Sequence, residues 1–138
     1  EPQTATGAVG LAAAAASRRQ WPEALRLYRH AHSLHPDRID VTLGLAMAFG
    51  QVERLDAAHT LAATVLAELP YCLKARWILV RVAARQGPSQ AAREHLRVAR
   101  SLDPDDLYAW RWFGVPGESP PTPQATLPAW NEQENWLY

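Results

Sequence analysis

The amino-acid sequence predicts an all-α fold: a right-handed α-solenoid of three helix-turn-helix repeats plus one terminal helix, followed by an extended Pro-rich C-terminal tail. Three observations predict it. Pro36, Pro70 and Pro104 stand 34 residues apart, twice over. Four further columns keep that interval: Ala24, Ala58 and Ala92; Leu11, Leu45 and Leu79, with Phe113 one period on; Tyr28, Ala62 and Leu96; Ala31, Val65 and Ala99. Between the prolines, apolar residues recur at helical rather than strand spacing. A fixed period of this length marks stacked supersecondary units. An ordinary antiparallel bundle with accidental spacing is the alternative, and five columns kept through three periods argue against it.

Each element has a reason in the sequence. The repeats fall at about residues 5–38, 39–72 and 73–106, the terminal helix at 107–114 and the tail at 115–138. In the second repeat, the stretch from Asp40 to Gln51 carries Leu43, Leu45, Ala46, Met47 and Phe49. The stretch from Leu55 to Leu69 carries Ala58, Leu61, Ala62, Val65 and Leu66, with Gly50 to Arg54 as the turn between. The corresponding turns are Ser17 to Trp21 and Gln86 to Pro88. Pro22 and Pro88 sit where a second helix begins, where the missing N–H is an orphan in any case. Pro36, Pro70 and Pro104 sit where it must stop. The alanine column lets the two helices of a pair approach closely.

The period, the Leu and Ala columns, Tyr28 and the closing prolines resemble the tetratricopeptide repeat, from about Ala5 to Asp106. Trp110, Phe113 and Gly114 stand where that family's repeat opens with Trp, Leu and Gly, so a fourth repeat starts and stops. The sequence departs from the pattern in two ways. Ala8, Thr42 and Arg76 replace the opening aromatic, and the glycine of the inter-helix turn survives only as Gly87. The resemblance implies a solenoid whose first helices line a concave face.

By register that face carries Val9, Ala13, Ala16 and Ser17, then Asp40, Leu43, Met47, Gly50 and Gln51. Lys74, Trp77, Arg81 and Arg85 follow from the third repeat, and Tyr108 and Arg111 from the terminal helix. One end is small and apolar, and the other is basic and aromatic. The expected partner-binding groove therefore takes apolar contact from Leu43, Met47, Trp77 and Tyr108 and charge from Lys74, Arg81, Arg85 and Arg111. Its expected ligand is a protein or peptide segment, acidic or bearing a carboxylate. The carboxylate clamp of some tetratricopeptide proteins is incomplete here, because Ala13 and Met47 occupy its positions in repeats one and two. Solvated helix faces are the plain alternative for the same arginines.

The tail is a different polymer. It holds Pro116, Pro120, Pro121, Pro123 and Pro128, a density that excludes helix and central strand. It contains Glu118, Glu132 and Glu134 and no Lys or Arg, so it carries minus three and the rest of this neutral chain plus three. Its aromatic residues, Trp130, Trp136 and Tyr138, are unlike a flexible linker. Three dockings stay open. Leu127 and Trp130 can cover Trp112 and Phe113 on the last helix, Trp136 or the Tyr138 carboxylate can enter the basic groove, or the tail can bind a neighbouring molecule.

Other functions find little support. Zero net charge disfavours unspecific binding to nucleic acid or acidic membranes. The apolar run Ala8 to Ala16 is too short to span a bilayer and is followed, not preceded, by Arg18 and Arg19. A soluble chain is expected, cytoplasmic rather than exported, although cleavage ahead of Glu1 stays open. The lone Cys72 starts a helix, which can lower a thiol pKa, but a structural thiol is the simpler reading. His32 and His35 lie one turn apart with no carboxylate or cysteine at a strong ligand spacing, so no metal or cofactor is expected. No nucleophile, acid and base converge in the pattern, and the chain reads as a non-enzymatic interaction module or scaffold. The alternative is a structural subunit of a homo- or hetero-oligomeric assembly, joined through the tail.

Overall fold

A computed structural model describes residues 5–113, with side chains from residue 7. It contains α1 (Ala5–Ser17), α2 (Trp21–Leu34), α3 (Ile39–Gln51), α4 (Leu55–Glu68), α5 (Leu73–Gln86), α6 (Gln90–Leu102) and α7 (Leu107–Phe113). Consecutive helices pack as antiparallel pairs, and α3 also packs on α1 and α5. The first helix of each pair thus forms one layer, with α2, α4 and α6 outside it. The observed boundaries lie within a residue or two of those the sequence predicts for α3, α4 and α7.

The layers differ in how much they bury. In α3, Val41 to Ala46, Ala48 and Phe49 are all buried. α2 and α4 bury one stripe each, Ala24, Tyr28 and Ala31 in one and Ala58, Ala62 and Val65 in the other. Of α6 only Ala99 is buried. The repeat columns follow the same gradient. Leu45, Leu79 and Phe113 are buried, whereas Leu11 at the N-terminal end of the column is 48% exposed. One continuous core runs from Ala12 to Phe113.

Small residues set the helix spacing. Ala24, Ala31, Ala58 and Ala62 have no exposed surface. The Tyr28 ring lies directly over Gly44, where an added Cβ would stand 2.3 Å from Cε1 and 2.4 Å from Cζ. No non-bonded carbon approaches so closely, so α2 and α3 meet only because residue 44 has no side chain.

The turns within the pairs share a backbone feature. Arg19, Glu53 and Gly87 have φ of 60°, 64° and 108° and lie 34 residues apart. All three helix pairs therefore turn through one left-handed residue at the same repeat position. Gly87 adopts this freely; Arg19 and Glu53 pay about 1–2 kcal/mol each for it. The first two turns bend alike, the Gln20 and Arg54 N–H groups bonding back to the Ala15 and Phe49 carbonyls at 2.9 and 2.8 Å, whereas Gly87, with ψ 172°, bends differently at the same position. At the third turn Ser89 caps α6, its Oγ accepting from the Ala92 N–H at 3.0 Å.

Arg76 occupies the column of the missing opening aromatic. It is half-buried, donates to His95 Nδ1 at 3.1 Å and to the Pro70 carbonyl at 3.4 Å, and has a buried Nε with no hydrogen-bond partner among the described residues. Burial, then Arg76, then His59 hold His95 below its ordinary 6.5, with Glu94 opposing. Cys72 is fully buried at the start of α5. Burial pushes the thiol up, and the N–H groups of Ala75 and Lys74 recover only part of the shift.

Two tests follow from this packing. Gly44→Ala should destabilise by about 1–3 kcal/mol through overpacking against Tyr28. Gly87→Ala should lose a similar amount, about 1–3 kcal/mol, through φ alone, since nothing lies within 4 Å of its Cβ position. Urea denaturation measures both, and a Tyr28→Leu background should relieve only the first. For His95, a depressed folded pKa means that the unfolded chain binds the proton more tightly. Its contribution is then fully present above pH 6.5 and drains away as pH falls through the folded value. The urea midpoint should drop on acidification below that pH, and His95→Gln should flatten the drop.

Candidate functional site

A cleft of about 370 Å³ opens on the layer of first helices. Ala13, Ala16 and Ser17 of α1, Met47 of α3, Lys74 of α5 and Arg111 and Trp112 of α7 line it, together with Arg19, Trp21 and Tyr28. Small apolar residues form one wall, and cations and a tryptophan form the other. A narrower pocket adjoins it through Met47, lined by Arg81, Arg85, Ile78, Val82 and Phe113. Among the described residues, no carboxylate lines either one.

The sequence-predicted groove residues divide into three groups. Met47, Lys74 and Arg111 line the wide cleft, and Arg81 and Arg85 the adjoining pocket. Leu43, Trp77 and Tyr108 do not present contact area: they are 0%, 4% and 6% exposed. The expectation of apolar groove contact is corrected for these three, which turn into the core of the layer. Helical register alone assigns the face of a helix that is buried nearly all round no better than this. Trp112 lines the cleft, and Phe113, expected as a bare patch on the last helix, is buried and underlies the narrow pocket. Leu127, Trp130, Trp136 and Tyr138 lie outside the described residues, so their docking is taken up below as a proposal.

Each cation is held differently. Arg85 donates to the Gly50 carbonyl and pairs with Glu53 at 3.1 Å, tying the end of α5 to the α3–α4 turn. Lys74 lies 5.6 Å from the centre of the Trp112 ring, and Arg111 5.3 Å from that of Tyr108. The Arg81 guanidinium is 4.6 Å from the centre of the Phe113 ring, and no described carboxylate pairs with it. Burial lowers its pKa, and Arg85 and Arg19 lower it further. A guanidinium stays charged through such a shift, so the pocket holds an arginine in a field of like charge. That is an anion-attracting arrangement.

The wall formed by α7 depends on a residue that the sequence reading passed over. Asp103 is fully buried between α6 and α7. Its carboxylate accepts from the Trp77 indole N–H at 3.1 Å and from the backbone N–H groups of Leu107, Tyr108 and Ala109 at 2.9, 3.0 and 3.1 Å. Burial raises its pKa, and the four donors oppose the rise. One side chain thus satisfies the first turn of α7, a helix of seven residues that could not persist alone. Capping rules point instead to Asp106, directly before Leu107. That residue has φ 55° and pairs with Arg100 at 3.1 Å. The available signal was the column itself: Asp103 stands where the earlier repeats have His35 and Leu69.

Compared with models of known protein families, with curated proteins and with solved structures, the chain matches none. No described helix is long and apolar enough to cross a membrane.

Asp103→Ala leaves four donors without their acceptor and should cost about 2–4 kcal/mol. Asp103→Asn keeps one oxygen and should fall between that variant and the parent. Urea denaturation followed by tryptophan fluorescence measures the loss. Hydrogen exchange should show the amides of Leu107, Tyr108 and Ala109 unprotected first.

Proposed function

We propose that this chain is a tetratricopeptide-like, right-handed solenoid that acts as a non-enzymatic protein-interaction module. It binds an acidic, extended segment of a partner protein in the cleft of its first-helix layer. The observation that carries the reading is the charge of the described lining: Arg19, Lys74 and Arg111 line the cleft, Arg81 and Arg85 adjoin it, and the described lining residues include no carboxylate. The shared 34-residue position of the left-handed turns supports the repeat assignment. Met47, Trp112 and the alanines of α1 supply apolar surface beside the charges, the mixture that an extended peptide meets in recognition grooves.

A fluorescein-labelled hexaglutamate peptide, capped at both ends, provides the test by fluorescence anisotropy. Binding should weaken as salt rises. Arg81→Met keeps a side chain over Phe113 while removing the charge, and Arg111→Glu reverses an exposed one. Each should weaken binding by about tenfold, equivalent to about 1.4 kcal/mol. Arg93→Glu, on the exposed face of α6, should leave binding unchanged. Equal affinity across all four proteins would sink the reading.

A further inference from the structure

We propose that the chain's own C-terminal segment, residues 115–138, occupies the cationic cleft in cis and competes there with a partner; this rests on the cleft being the binding site. Charge is the first argument. The segment holds Glu118, Glu132 and Glu134 and none of the fourteen Lys and Arg residues. Arg19, Lys74 and Arg111 line the cleft, and Arg81 and Arg85 line the pocket beside it, so the described lining is cationic.

The second argument is attachment. Trp112 and Phe113, the last described residues, line the wide cleft and the narrow pocket. The segment therefore leaves the fold at the rim of the cavity it would fill. Extended, its 24 residues reach up to about 80 Å, so reach is not limiting. A short tether of this kind gives an effective concentration on the order of millimolar. The five prolines restrict the backbone to extended forms, which lowers the entropy lost on binding.

The third argument is pattern. Trp130, Glu132, Glu134, Trp136 and Tyr138 fall on alternate positions, and no proline interrupts them. In an extended chain alternate residues share one face. That face would present two carboxylates flanked by aromatic rings, with Asn131, Gln133, Asn135 and Leu137 on the other. Carboxylates pair with guanidinium groups, and aromatic faces receive them. The same combination is what a cleft holding Arg81, Arg111, Lys74 and Met47 accepts.

The test uses the full chain. Cys72 is fully buried, so a nitroxide label reacts selectively at Gln133→Cys, on the face turned away from the cleft. At low salt, the label should broaden the amide signals of Arg81, Arg85 and Arg111 within the same molecule. Adding Glu118→Gln, Glu132→Gln and Glu134→Gln should remove most of that broadening. Broadening confined to other surfaces, no broadening, or broadening seen only between mixed copies would each overturn the proposal; the last would place the segment on a neighbour. In parallel, the triple Gln variant should bind the hexaglutamate peptide at least about fivefold more tightly than the parent. Equal affinity would overturn competition while leaving the cleft as the site. Failure of both proteins to bind the peptide would count against the cleft reading alone, and the label would still decide where the segment lies.

Discussion

The distance between helices in this fold is set by side chains of one carbon or none. Gly44 lies under the Tyr28 ring with no room for a Cβ, and Ala24, Ala31, Ala58 and Ala62 have no exposed surface. Where two helices meet through such residues their backbones come close, and larger residues on the flanks interdigitate. The layer of α1, α3 and α5 follows from that approach. So does the cleft, because Ala13 and Ala16 leave open a wall that longer side chains would fill. The alanine richness of the sequence is therefore a statement about geometry before it is one about helix propensity.

The architecture was legible in the sequence for a related reason. Columns such as Ala31, Val65 and Ala99 repeat where each second helix of a pair turns inward, and all three are buried. Proline and glycine mark the stops and turns, and helix ends fall close to where they stand. Faces were less legible. The register placed Leu43, Trp77 and Tyr108 on the groove, but α3 and α5 touch helices on several sides. For such helices the period tells which residues are apolar without telling which are covered. Lys74, Arg81 and Arg111, which the register also put on that face, line the cavities, since long cations on a packed layer emerge where packing stops.

Asp103 shows why the last junction was harder to read. The last described helix, α7, packs at a junction that a polar group holds. A single buried carboxylate gathers one indole and three amide N–H groups and thereby fixes α7 against α5 and α6. Nothing local distinguishes it from Asp105 and Asp106 nearby; only the fold brings Trp77 to it across 26 positions of sequence. Its consequence for the site is direct, because Arg111 and Trp112 hang from the helix it anchors.

The left-handed turns at Arg19, Glu53 and Gly87 separate shape from spelling. Arg19 and Glu53 make one kind of bend, held by the packing of the helices they join, and Gly87 makes another that only glycine adopts without strain. A positive φ can thus recur at one interval although the residues that adopt it differ. The 34-residue interval is thus carried by backbone torsion as well as by the side-chain columns, and it holds at positions where the residues themselves share neither size nor charge.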